Sequence, residues 1–304
     1  MPNIWTHIMF CEEMADAVTK THQFPSYEPM MKLGAQGPDP FFYHRFWPWM
    51  KEGKAQEIGL ALHETKCGPF LLDLIHTAKR KDNQVKAYVF GFITHHILDR
   101  NTHPYIHYYA GYEGNKHQKL EIIIDTLMLH KFNNLKTWKT PVYKEIDVGR
   151  KLDKQIVHLL YQIINKHYPE LKATPFYIQK SYKDMKLALK ILSDPYGWKN
   201  RLLPSLISSY SHQQPVENKK DYLNEQKNTW YHPATREPSN KSFIELYQQA
   251  KAEGVKILTT VHSYWKEQHD ELYHELALQI GNISYDTGKS LALKLANQYA
   301  DPIV

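Results

Sequence analysis

The stretch YVFGFITHHILD at residues 88–99 decides how this chain folds. Val89, Phe90, Phe92 and Ile93 make it strongly apolar, and the spacing predicts a largely buried helix. His95 and Asp99 stand four residues apart in it, so they leave the same face one turn above the other. An aspartate buried in such a helix is costly unless a cation pairs with it. A metal ion is a cation that a histidine and a carboxylate at this spacing can share. His96 points about a quarter turn away, either to the helix flank or to a place behind the ligands where it would orient one of them. For this helix alone a bland reading fits equally well, with His95 a satisfied core histidine and Asp99 a solvent-facing residue at the helix end.

The next helix, NKHQKLEIIIDTLMLHKF at 115–132, moves the balance toward metal. His117 and Glu121 are again four apart, and Asp125 continues their face, either as a ligand or as a group that orients a ligand histidine. Helices joined by a short loop lie antiparallel as neighbours, so the two inward pairs converge. A rise of about 6 Å over four residues is too long for every group to bind one ion, but suits a carboxylate bridging two. Pro104 disfavours helical geometry at His103, so the first helix is expected to end there, with His103 on a loop that completes the second ion's shell. His107 competes for that place. His7, in a Trp-Thr-His segment, Asp39, after the Gly37-Pro38 turn, and His63, after the run IGLAL, are further candidates. On spacing alone each of these three is more often structural.

Helical periodicity dominates elsewhere too, over 3–20, 68–80, 149–167, 176–192, 240–275 and 285–299, which makes the chain all-α. Loops rich in Pro and Gly fall at 34–40, 103–114 and 194–198, and a polar connection with Pro215, Pro233 and Pro238 spans 211–239. The division expected is a metal-bearing domain over 1–210 and a C-terminal helical extension over 211–304 packed on it. Among the 304 residues are 18 histidines, and six of them fall between His95 and His130, which fits the metal reading. The net charge of +6 comes from scattered Lys and Arg in short runs such as 79–81, so no stable nucleic-acid partner is expected. No apolar run reaches the ~18 residues of a membrane span. Cys11 and Cys67 are too few for a disulfide framework or a thiolate zinc site. Glu12, Glu13 and Asp16 stand where an export signal would be apolar, so a cytoplasmic setting is expected. The oligomeric state is left open.

The chain resembles the zinc-dependent phospholipase C family, which is related to the P1-type nucleases. The resemblance is carried by Thr6-His7, Gly37-Pro38-Asp39-Pro40, His63, Gly91-Phe92, His95-x3-Asp99, His103-Pro104 and His117-x3-Glu121, in the family's order over roughly the first 130 residues. It implies an all-helical, multi-helix bundle holding two zinc ions and up to three. Carried over, Asp39, His63, His95 and Asp99 would hold one zinc, with Asp99 shared. His117 and Glu121 would hold a second with a histidine after Asp99, which here is His103 or His107. His7 would bind a third, although the family's secreted members also use a processed N-terminal amine there, and this chain opens on Met1.

Imidazole and carboxylate without thiolate suit zinc and would also accommodate iron or manganese. The expected reaction is hydrolysis of a phosphoester by an activated water, with Asp39 either a ligand or the catalytic base. The substrate would be a small phosphoester or a phospholipid head group. The aromatic runs FFYHRFWPW (41–49) and YIHYYAGY (105–112) read as loops flanking the ligands. An HD-type phosphohydrolase needs adjacent His and Asp, found here only at His269-Asp270, far from the other candidates. The alternative of another kind is a non-catalytic helical interaction protein that keeps a structural metal, distinguished by a closed coordination shell.

Overall fold

A computed structural model describes residues 3–18, 25–47, 49–51, 53–214, 220–267 and 270–304. The last two residues of the expected 3–20 helix, Pro215 and His269 lie outside them. The fold is all-α. Its helices run α1 Ile4–Val18, α2 Glu28–Gly34, α3 Lys54–Glu64, α4 Cys67–Ala78, α5 Asn83–Ala110, α6 Lys116–Asn133, α7 Lys154–His167, α8 Pro175–Leu192, α9 Trp198–Leu202, α10 Pro204–Ile207, α11 Phe243–Lys266 and α12 Asp270–Ile280. Two short antiparallel strands, β1 Trp230–Tyr231 and β2 Pro238–Ser239, pair Trp230 with Ser239. No helix among the described residues is long and apolar enough to cross a membrane.

The central element is α5. Asp82 caps it by accepting from the Val85 amide at 3.0 Å, and from Ala87 to Ala110 only His107 escapes full burial. A helix covered all round has to be the axis of a core, and α1, α2, α6 and α11 pack on it. Two glycines set the α2 crossing. A Cβ at Gly34 would lie 2.0 Å from the Tyr88 carbonyl oxygen, and one at Gly91 would lie 2.1 Å from that of Met31. The backbones therefore touch, and the turn after α2 lands on the middle of α5.

Three expectations fail. The run 240–275 is not one helix: α11 ends at Lys266 on an extended Glu267, and α12 starts at Asp270. Helix α5 does not end at His103 but carries Pro104 inside it and continues to Ala110. Proline removes one N–H, which orphans the carbonyl of Arg100 one turn earlier. Gly288 packs on that carbonyl so closely that a Cβ would lie 2.2 Å from its oxygen. Tertiary burial has overridden the local preference of the X-Pro pair. As a result, the run 105–110 is core helix rather than an aromatic loop. Nor is 285–299 a helix; it holds a single 3-10 turn, Leu291–Leu293. Its amides are used elsewhere: Tyr285 donates to His63 O, and Gln298 and Tyr299 donate to Pro233 O. Just beyond it, Asp301 and Ile303 satisfy the terminal α5 carbonyls of Tyr108 and Tyr109, both at 2.8 Å.

Candidate metal centre

Because α5 runs on, His95, Asp99, His103 and His107 form a ladder at four-residue intervals on one helix face. Asp99 is fully buried and faces three imidazoles: His95 Nε2 at 3.0 Å, His7 Nε2 at 3.2 Å and His103 Nε2 at 3.6 Å. His95 Nδ1 lies 3.0 Å from the Ala35 carbonyl, and His63 Nδ1 lies 2.8 Å from that of Gly59. A carbonyl can only accept, so Nδ1 carries the proton in both rings and the Nε2 lone pair points inward. Burial would raise the Asp99 pKa, but the surrounding His103, His95 and His7 hold it well below the usual carboxylate range. Burial pushes His7 down from its ordinary value and His103 down to about 4. The Nδ1 hydrogen bond of His95 thus turns an Nε2 lone pair toward the ionised Asp99, and the burial-lowered His7 and His103 rings face the same carboxylate.

That arrangement fits a cation. Both Asp99 oxygens, Asp39 Oδ1, His95 Nε2, His103 Nε2 and both His7 nitrogens are buried and make no hydrogen bond of acceptable geometry. Orphaned polar atoms of this kind are expensive singly, and here they converge. Cations bound among them would give partners to the carboxylate oxygens and to the inward Nε2 atoms.

The turn after α2 delivers Asp39. Gly37 adopts φ +50, and a Cβ on it would lie 2.4 Å from His95 Cδ2, so only glycine lets the turn close on that ring. Asp39 Oδ1 then stands 3.5 Å from His63 Nε2 and 3.6 Å from His95 Nε2. His63 comes from the last turn of α3. Burial would lower its pKa, but the adjacent Asp39 carboxylate outweighs that and raises it. His7 comes from α1 and stacks on His95, with ring centroids 4.2 Å apart. Asp125 is not aimed at these groups. It accepts from the amides of Trp5 at 3.0 Å and Thr6 at 2.9 Å, from the Thr6 hydroxyl, and from His212 Nε2 at 3.0 Å. It pins the start of α1, and so acts on His7 through the backbone.

The second set lies one turn further along α5. His103, His117 and Glu121 each offer a ligand atom within 4.8 Å of the others, and His117 Nε2 is 2.6 Å from Glu121 Oε1. Burial holds the His117 pKa well below its ordinary value. Asp286 joins the same region, with Oδ1 3.1 Å from His103 Nδ1 and 3.6 Å from His107 Nε2. All eight ligand candidates from the sequence are therefore brought together, five in the first set and three in the second. Asp286 was not among them. Helical periodicity puts it in a helix over 285–299, and no spacing ties it to α5; in the structure residues 284–288 form a turn.

The family model described as zinc dependent phospholipase C matches residues 6–178, more than half of the chain. The chain belongs to the zinc-dependent phospholipase C family. No curated protein and no solved structure matches it. The matched span of this phospholipase C family member holds His7, Asp39, His63, His95, Asp99, His103, His117 and Glu121, whereas Asp286 and His212 lie beyond it. A zinc-dependent family and His/Asp groups able to hold metal ions agree on the kind of centre.

Proposed function

We propose that this chain is a metal-dependent phosphoester hydrolase of phospholipase C type. The observation that supports it most is Asp99, an ionised carboxylate sealed in apolar helix packing and set against imidazole nitrogens from α1 and two levels of α5. Asp39, His63, His95 and Asp99 would hold one zinc, and His103, His117 and Glu121 a second. His7 with the shared Asp99 offers a place for a third, the Nε2 of His95 being committed to the first. When bound, zinc would lower the pKa of a water and draw charge from the phosphoryl oxygens.

The chain's own residues do the rest. The Nδ1 bonds of His95 and His63 to carbonyls fix both rings with Nε2 inward. Asp39, at the edge of the first set, is placed to act as a ligand or to take a proton from the attacking water. The second set is open to solvent at one side, since the side chain of His117 is 22% exposed. A substrate phosphoryl can enter there, which favours catalysis over the purely structural metal of the alternative reading. Phe46, Trp47 and Trp49 stack in sequence a few residues after Asp39, and Trp49 is 74% exposed. This supports a substrate with an apolar part, and a phospholipid head group is the class we propose. Cys11 and Cys67 are free and buried, in keeping with the cytoplasmic setting expected from the sequence.

The test is metal analysis of the purified protein, then hydrolysis assays with and without chelator on phosphatidylcholine vesicles and on a water-soluble phosphodiester. Zinc-dependent release of a phosphorylated head group is expected. Zinc-loaded protein that cleaves neither substrate would leave the structural-metal reading in its place.

A further inference from the structure

We propose that Asp286 is the positioning carboxylate of the second metal set, supplied by a C-terminal turn outside the family match. The inference rests on the metal-centre reading above. His103 Nδ1 and Asp286 Oδ1 are hydrogen-bonded at 3.1 Å. An ionised carboxylate can only accept, so Nδ1 carries the proton and Nε2 is left as the nitrogen with a free lone pair. That Nε2 is buried and unpaired, and it faces Asp99. Asp286 thereby selects His103 as the third member of the set with His117 and Glu121, and it orients the ring from behind. His107 stands 3.6 Å from the same Asp286 oxygen without a hydrogen bond.

The turn is built to hold this carboxylate still. Ser284 Oγ accepts from the amides of Asp286 at 3.1 Å and Thr287 at 3.2 Å. Gly288 N closes the turn on Ser284 O at 3.1 Å, while Tyr285 N donates to His63 O at 3.2 Å. Gly288 is at φ +60 and rests on the Arg100 carbonyl that Pro104 frees. His96 Nε2 reaches Ile283 O at 3.2 Å, and Asn297 Nδ2 reaches Asp286 O at 3.2 Å. The segment is thus tied to α3 and to two levels of α5, and its single inward carboxylate meets the ladder. Since the turn lies more than a hundred residues past the end of the family match, this arm of the centre belongs to this chain's own C-terminal part.

The experiment is a competitive zinc titration against a chelating indicator for the wild-type chain, Asp286→Ala, Asp286→Asn, His103→Ala and the Asp286→Ala/His103→Ala pair. Melting of each metal-free variant is recorded alongside. One class of zinc is expected to weaken about 10- to 100-fold in Asp286→Ala, with the remaining zinc unaffected. Asp286→Asn keeps an acceptor oxygen for Nδ1 and should fall between Asp286→Ala and wild type; it also carries the test if the alanine variant does not fold. The pair should bind zinc no worse than His103→Ala alone. A titration of both Asp286 variants that superimposes on wild type would overturn the proposal. So would a further loss in the His103→Ala background, because Asp286 would then be binding the ion itself. A wild-type chain that takes up no zinc would instead remove the whole centre.

Discussion

At Asp99, burial and charge pull in opposite directions. A carboxylate with both oxygens buried and facing imidazole nitrogens makes the metal-free protein less stable than an apolar packing would. In Asp99→Asn zinc uptake and hydrolysis should fall more than ~100-fold. The fold holds the Asp99 pKa down, so at neutral pH its charge contributes stability that asparagine does not, and metal-free Asp99→Asn should melt lower than wild type. Thermal melts of chelator-treated protein and a zinc titration check the two; zinc uptake equal to wild type would make Asp99 a structural residue. Gly37 carries the complementary case. In Gly37→Ala the added methyl meets the His95 ring at a positive φ, so a loss of about 1–3 kcal/mol is expected together with weaker zinc binding.

Elements bring these residues within reach of one another, and here the sequence was informative in parts. The two His-x3-carboxylate pairs were legible because helical spacing alone sets which side chains share a face. The continuation of α5 past Pro104 was not legible, because it depends on Gly288, some 180 residues away, packing on the freed carbonyl. Asp286 was hidden for a related reason: Leu291 and Leu295, four apart, imitate a helical pattern, yet the segment's amides bond to His63 and Pro233. The place of Asp125 was half legible, as a group orienting a ligand histidine, but it acts on the backbone of α1. Asp125→Ala leaves the Trp5 and Thr6 amides without their acceptor, so a cost of about 1–3 kcal/mol is expected in denaturant unfolding. The zinc nearest His7 should weaken with it, and zinc binding identical to wild type would dissociate Asp125 from the site.

For the molecule as a whole, the buried histidines couple stability to pH. His103 is lowered to about 4 and His96 to about 3 from an ordinary 6.5, and His7 and His117 are also lowered, all chiefly by burial. Between pH 6.5 and 4 the unfolded chain binds protons that these folded rings do not, so stability falls as the pH falls through that window. His63, raised by Asp39, acts in the opposite sense, its contribution being present at low pH and lost as pH rises through its folded value. With His44, His232 and His262 lowered as well, seven lowered rings against one raised predict that the metal-free melting temperature drops from pH 7 to pH 4. A flat profile would mean that the rings are not held neutral. Bound zinc competes with the same protons, so zinc should dissociate over the same interval. The account turns on one assembly, the ladder of α5 with the residues that α1, the Asp39 turn, α3 and α6 bring to it. The most direct measurement is the zinc content per chain of wild-type and Asp99→Asn protein after loading and removal of loose metal. At least two zinc ions per wild-type chain are expected, with a clear loss in Asp99→Asn; a wild-type content of one or none, or an unchanged content in the variant, would contradict it.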